Sequence, residues 1–481
     1  MRRAVRSVRA KAILALAGSV VAGSAFAGSA GLVPSEASNV PAAATANWPA
    51  YLFGPRHSSF NPGDRTITPS NARRLVARWR FRGGPPPTQG EPKRGFLSSP
   101  TVVGGSIYIG SVTGWFYKIN AANGHVLAKR FIGFQRALTC HPARGFVDTA
   151  TVATDQSGQR IVYVGGPDGF LYALRASDLS IKWRSVIAIP SHKINDFFQW
   201  SSPTVANGRV YIGIASNCDR PLVRAGLVSY MQATGRRITT FRTLPRGMRG
   251  ASIWSSAAVG RDRSVYVSTG NVKKSFAEPG HTDSIVKLTP FSLRPVASFK
   301  VPPTQVRHNG DFGASPVVFG PFVGACNKNG IFYALRRSTM KLAWSRRVGA
   351  EAPRRGVASC VAAAVYNGHV LYVATSRHII NGRAHPGSVQ ALNPATGALI
   401  WQTGLPNGVI GTPTLNGAGV LAVGTYAFTK TPNAVFLLRA SDGKILRRLT
   451  MGSQDFAQSV FAGGRIFTAN SNGLVAWGLR K

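Results

Sequence analysis

Sixteen aspartates and glutamates are all the carboxylates that 481 residues provide, so any general acid or base must come from a short supply. Lysine and arginine number 58, so groups that hold anions are abundant. Nine histidines are dispersed without metal-ligand spacing. No Gly-x-Ser-x-Gly, His-Glu-x-x-His or phosphate-cradling Gly-Lys-Ser/Thr segment occurs, which excludes the common activated-serine, zincin and P-loop chemistries. The four cysteines, Cys140, Cys218, Cys326 and Cys360, contain no Cys-x-x-Cys pair and no haem-attachment motif. Four cysteines permit three pairings, and sequence does not choose among them. Proximity in the chain favours Cys326–Cys360 with Cys140–Cys218.

The elements that must position such groups are set by composition. Hydrophobic residues make up 44% and charged residues 15%, too apolar for a disordered chain. The 53 glycines and 30 prolines follow no Gly-X-Y period, which excludes collagen and implies many turns. Residues 1–27 have the form of a secretory signal. Arg2, Arg3, Arg6, Arg9 and Lys11 precede an apolar run over 12–22, and Ala25-Phe26-Ala27 supplies a small-x-small cleavage site. A short membrane anchor is the alternative reading of this stretch. Residues 28–46 are rich in Ala, Ser, Gly and Pro and suit a flexible linker. Export makes disulfides chemically permitted. No mature transmembrane helix is expected, because no long apolar run follows the signal.

The formal net charge is +42. One reading is a surface that binds anionic polymers or cell-surface components. The other is adaptation to an acidic exterior, where few carboxylates remain to be protonated. The basic residues form no block, so a nucleic-acid-binding arm is not expected, and the protein is expected to be a monomer.

One pattern repeats through residues 47–481. Ser99-Pro100-Thr101-Val102 is followed by Ile107-Tyr108-Ile109-Gly110, then by Trp115-Phe116-Tyr117-Lys118-Ile119, then by the turn Asn123-Gly124. Ser202-Pro203-Thr204-Val205 opens another copy. The anchors Tyr108, Tyr163, Tyr211, Tyr266, Phe322, Tyr372, Ala422 and Phe467 lie 45 to 56 residues apart. Short Val/Ile/Tyr runs bounded by Gly, Asn and Asp are strands and turns. Four such strands at this period predict an all-β, eight-bladed β-propeller of four-stranded antiparallel blades. The last copy runs out of chain before its fourth strand. Leu75–Phe81 reads as the strand that completes it and closes the ring, removing exposed edges. A pair of β-sandwiches is the competing architecture.

These repeats resemble the quinoprotein repeat of pyrroloquinoline quinone (PQQ) dehydrogenases. The resemblance rests on Asp168-Gly169-Phe170-Leu171-Tyr172-Ala173-Leu174 and on the run from Gly387 through Asn393-Pro394-Ala395-Thr396-Gly397 to Trp401. It implies PQQ and Ca²⁺ as cofactors. By that resemblance Trp254 is the floor beneath the quinone, Lys328 contacts its oxygens and Arg144 binds one of its carboxylates. Oxygen ligands for Ca²⁺ would come from Asn271, Asp219 and Asn309, and oxygen is what that ion takes.

The chain departs from the family pattern in three places. Cys140-His141 stands where adjacent cysteines are frequent. The expected Glu ligand is absent, and only Asp219 is near its place. Asn309 occupies the position of the catalytic Asp, and an amide cannot take a proton at neutral pH. Asp311, two residues on, is the remaining carboxylate for the general base. The resemblance therefore implies a dehydrogenase for alcohols or polyols, with polyvinyl-alcohol dehydrogenases as a plausible relative and a separate electron acceptor. The alternative is a non-catalytic propeller that binds a protein, a glycan or an anionic cell-wall polymer. Fold alone does not decide between them.

Overall fold

The computed structural model describes residues 46–86, 94–136, 143–191, 193–194, 196–272, 280–307, 310–351, 359–426, 431–453 and 456–480. The expected signal at 1–27 and nearly all of the linker lie outside the described residues. Eight antiparallel sheets of four main strands follow one another along the chain. Blades 1 to 7 span 101–131, 151–186, 204–242, 258–300, 317–347, 365–405 and 414–450. Blade 8 takes three strands from 460–479 and its outermost strand from Leu75–Phe81, which pairs antiparallel with Gly473–Leu479. The predicted architecture and ring closure are thus observed. Helix among the described residues is limited to three-residue 3-10 turns.

The burial of each strand explains its composition. Second strands are covered on both faces by neighbouring blades, so Ser106–Gly110 is buried throughout and reads as a continuous apolar run. Outermost strands alternate, as in Val126–Phe131. Seven of the eight outermost strands carry lysine or arginine, among them Arg80, Arg184, Arg346 and Arg448. Much of the positive charge therefore rims the propeller, where it also opposes pairing between exposed edges.

Side-chain hydrogen bonds explain the residues that recur. All eight anchors lie in second strands. The Tyr108, Tyr163, Tyr211 and Tyr372 hydroxyls donate to carbonyls of the next blade, at Ala176, Gln232, Pro290 and Ala440. Tryptophans on outermost strands do the same. Trp79, Trp183, Trp344 and Trp401 donate through Nε1 to Ala121, Gln232, Pro394 and Ala440, at 3.0–3.2 Å. Three residues beyond each acceptor a glycine lies against the indole. A Cβ on Gly397 would come within 2.5 Å of Trp344, and its φ of +73° also favours glycine.

Two further devices organise the axis. In six of the eight blades the segment leading into the innermost strand carries, at one end of the propeller, a Ser or Thr whose hydroxyl accepts a backbone N–H from the preceding blade. The N–H groups of Ser99, Thr149, Ser202 and Ser256 donate to Thr149 Oγ1, Ser202 Oγ, Ser256 Oγ and Ser315 Oγ at 2.9–3.0 Å. Gln458 N donates to Ser99 Oγ and Ala363 N to Thr412 Oγ1. At the other end, residues 46–61 make one circuit of the axis. The carbonyls of Ala46, Trp48, Pro49, Pro55, Arg56, Ser58 and Ser59 accept from Gly463, Val102, Val152, Val259, Val318, Tyr366 and Leu415. These acceptors serve every blade except blade 3, and the circuit closes where Asn61 Nδ2 donates to Phe461 of blade 8. Each such bond contributes about 1 kcal/mol net.

Candidate functional site at the open end of the axis

Antiparallel pairing puts the start of each innermost strand beside the end of each second strand. Trp254 and Asp311 precede the innermost strands of blades 4 and 5, while Asp219, Asn271 and Lys328 follow the second strands of blades 3, 4 and 5. All five are therefore carried to the end opposite the 46–61 circuit.

Three of them form one constellation. Trp254 Nε1 donates to Asp311 Oδ2 at 2.8 Å. Lys328 Nζ lies 2.6 Å from Asp311 Oδ1, an ion pair without hydrogen-bond angles. The same ammonium lies 4.8 Å from the centre of the Trp254 ring, within cation–π range. Lys328 N also donates to the Asp311 carbonyl. A disulfide between Cys326 and Cys360, with Cα atoms 5.5 Å apart, anchors the strand end that carries Lys328. This is one of the two expected pairings. Cys218 is disulfide-bonded as well, and its expected partner Cys140 lies outside the described residues.

Trp254 owes its position to a ring of residues two places ahead of the hydroxyl ring. In an extended chain, residues i and i+2 face the same way. Leu97, Val147, Trp200, Trp254, Gly313, Val361, Ile410 and Phe456 therefore form an apolar tier above Ser99, Thr149, Ser202, Ser256, Ser315, Ala363, Thr412 and Gln458. Fifteen of these sixteen, with Tyr51 and Ser255, line one axial cavity of about 610 Å³, open mouth included. Glycine at 313 makes room for the indole, since a Cβ there would approach Trp254 to 2.6 Å.

Around this constellation stand carboxyl groups with altered acidity. Asp219, an exposed residue, accepts a hydrogen bond from Ser216 Oγ. Crowding by protein raises its pKa first, and the charge of Asp311 adds to this, while Ser216 and Lys328 oppose it. Asp283 was not anticipated from the sequence. It is buried, with φ of +46° and an Oδ1 that has no hydrogen-bond partner. Burial, followed by the charge of Asp311, pushes its pKa up to about 7 against the pull of Lys300 and Lys328. No motif surrounds it, so no sequence signal could have found it.

The remaining expected residues stand as follows. Asn271 accepts from Ala251 N through its backbone carbonyl, and its side chain makes no hydrogen bond among the described residues. Arg144 is half-buried, and its backbone pairs with Gln135. Burial lowers its pKa and the Tyr426 phenol opposes this, so it faces blade 7, and none of its described contacts reaches Trp254 or Lys328. Asn309 lies outside the described residues. The indole presents a flat apolar face with the Lys328 ammonium beside it. The described donors do not by themselves make a divalent-cation site: no three His, Cys, Asp or Glu side chains among them could share one metal ion, and Asp311 is already paired with Lys328.

Comparison with known proteins agrees with the fold. Residues 48–180 match a family described as glucose/ethanol/alcohol dehydrogenase, beta-propeller domain. Residues 385–480 match one described as outer membrane protein assembly factor BamB. No curated protein matches. Among solved structures, the quinohemoprotein alcohol dehydrogenase ADHIIG from Pseudomonas putida HK5 superposes with a TM-score of 0.71 at 17% identity, covering 90% of this chain and 80% of that one. A europium-containing methanol dehydrogenase gives 0.68 at 14%, covering 88% and 89%. BamB from Moraxella catarrhalis gives 0.54 at 14%, covering 84% and 98%. At these identities the likeness is one of fold. The eight repeats and these two family matches, each over part of the chain, support a PQQ-like β-propeller.

Proposed function

We propose that the open end of the axis binds a planar, multiply anionic quinone of the PQQ type and that the protein is an oxidoreductase for an alcohol or polyol. The observation that carries this reading is the Trp254–Asp311–Lys328 constellation at the mouth of the axial cavity. Trp254 offers a flat apolar surface, and Lys328 offers a cation beside it. Arg144, on the segment that precedes the innermost strand of blade 2, is proposed as a second cation for a ligand carboxylate. When bound there, PQQ supplies the two-electron acceptor for oxidation of an alcohol to a carbonyl. The hydroxyl proton must pass to a base, and Asp311 is the described carboxylate that touches the constellation. Both of its oxygens already hold contacts, so a substrate hydroxyl must share one of them. No step is routed through Ca²⁺. A separate acceptor must then remove the electrons, since the chain has no haem motif. Export is part of the proposal. Its support is the form of residues 1–27 and the match to an outer-membrane assembly factor family. Among the described residues no helix is long and apolar enough to cross a membrane.

A second reading is favoured by the engagement of both Asp311 oxygens: a propeller that binds through its mouth or basic rim without catalysis. The two separate in one assay. Purified protein incubated with PQQ and Ca²⁺ is offered primary, secondary and polymeric alcohols with an artificial electron acceptor. Alcohol-dependent reduction of the acceptor that disappears in Asp311→Asn supports the enzyme. Absence of turnover in folded, PQQ-loaded protein supports the binding module.

A further inference from the structure

The axial cavity continues below Trp254 into a well that the proposed function does not use. Its upper tier is apolar. Its lower tier is the ring of hydroxyls, and Tyr51 lies beneath with the 46–61 circuit. No charged residue lines it.

The bookkeeping of protons in this well is one-sided. Ser99, Thr149, Ser202 and Ser256 each accept a backbone N–H, which spends a lone pair on each oxygen. Among the described residues none of these four hydroxyls donates its own proton to an acceptor. Ser315 and Thr412 also accept backbone N–H groups, and both lie within hydrogen-bonding reach of the Tyr51 phenol. The Gln458 side-chain oxygen is taken by Leu52 N, and its amide nitrogen donates to Ser59 and Pro413. Four hydroxyl protons from successive blades therefore face a common space with no assigned acceptor.

A void lined by polar groups does not stay empty; empty cavities are apolar. The guest must accept several hydrogen bonds and needs to donate few. One water accepts only two of the four protons and must place two of its own on the second lone pairs that the hydroxyl oxygens keep. A small anion accepts from all sides and donates none. The field of a chain with net charge +42 favours an anion at its axis.

We propose that the hydroxyl ring of Ser99, Thr149, Ser202 and Ser256 binds a small inorganic anion of chloride's size at the propeller axis. The anion ties four successive blades through side chains that otherwise join only neighbours. This site is independent of the quinone reading, because it lies below Trp254 and uses none of the residues assigned to that ligand.

The test uses the whole protein and bromide as the probe. Crystals equilibrated in sodium bromide are measured at the bromine absorption edge. The expected result is an anomalous peak on the axis within contact distance of the four hydroxyl oxygens. Bromide found only beside rim arginines, with water-like density in the well, overturns the proposal. In solution, unfolding is followed in chloride and in gluconate at equal ionic strength. Chloride is expected to raise the midpoint saturably, and Ser202→Ala to weaken that response by several-fold. Equal midpoints in the two salts overturn the proposal. Ser202→Ala also removes the acceptor of Thr149 N, so a variant that fails to fold leaves the bromide experiment on the native protein to decide.

Discussion

Lys328 and Asp311 are joined twice: through a 2.6 Å ion pair between their side chains and through a hydrogen bond from Lys328 N to the Asp311 carbonyl. The carboxylate is 4% exposed as a residue and also holds the Trp254 indole. The three side chains therefore behave as one unit, in which changing any member disturbs the other two.

Removing the cation should expose that dependence. Lys328→Met leaves a buried carboxylate without its partner, which costs about 3–5 kcal/mol. The double variant Lys328→Met/Asp311→Asn, which removes both charges, should recover part of the loss. Denaturant midpoints of the two variants check this. Equal losses would mean that the pair is not coupled.

Gly313 should control ligand binding without controlling the fold. Its Cβ would meet Trp254 at 2.6 Å and Val361 at 2.7 Å, and its φ is one that alanine can adopt. Gly313→Ala is expected to tilt the indole and weaken quinone binding about tenfold or more, a loss near 1.4 kcal/mol. The circular dichroism of the sheets should remain that of the native protein.

The blade staples make a prediction about stability alone. Gly397 and Gly382 have similar φ, +73° and +77°, but only Gly397 lies against an indole. Gly382→Ala should cost about 1–2 kcal/mol from backbone strain. Gly397→Ala should cost about 1–3 kcal/mol more, because the added methyl overpacks against Trp344. Denaturant midpoints separate the two terms.

Asp148 gives a pH dependence with a definite sign. Burial drives its pKa well above the ordinary value, against the Gly165 N–H that its Oδ2 accepts. Below about pH 3.9, the unfolded value, the group is neutral in both states and contributes nothing. As pH rises past that value, the unfolded chain ionises first, and stability falls until the folded pKa is reached. Asp148→Asn keeps an acceptor for Gly165 N and removes the titration. Its advantage over the native protein should therefore grow as pH rises above 4. A constant difference across pH would contradict the burial argument.

Which parts of this were legible in the sequence follows from where periodicity exists. The Tyr anchors and the outermost-strand tryptophans recur because each serves a bond to the next blade, so repetition in the chain reports repetition in space. Trp254, Lys328 and Asp311 were singled out by resemblance to quinoprotein motifs, and the structure brings the three side chains together. The Ser-Pro-Thr segments were visible as a repeat, but their hydroxyl ring was not, because it exists only once eight blades close. The circuit of residues 46–61 escaped for the opposite reason. It is used once, has no period, and places Leu52, Phe53, His57 and Ser59 at positive φ, where no propensity favours them. Asp283 likewise stands alone, and its acidity comes from folding rather than from neighbours in sequence.

The most direct test is a titration of the purified protein with PQQ, in the presence and absence of Ca²⁺, read by tryptophan fluorescence and thermal unfolding. The account predicts saturable quenching and a raised unfolding midpoint, both lost in Trp254→Ala and Lys328→Ala. Folded protein that shows neither quenching nor a shift at any PQQ concentration would contradict it.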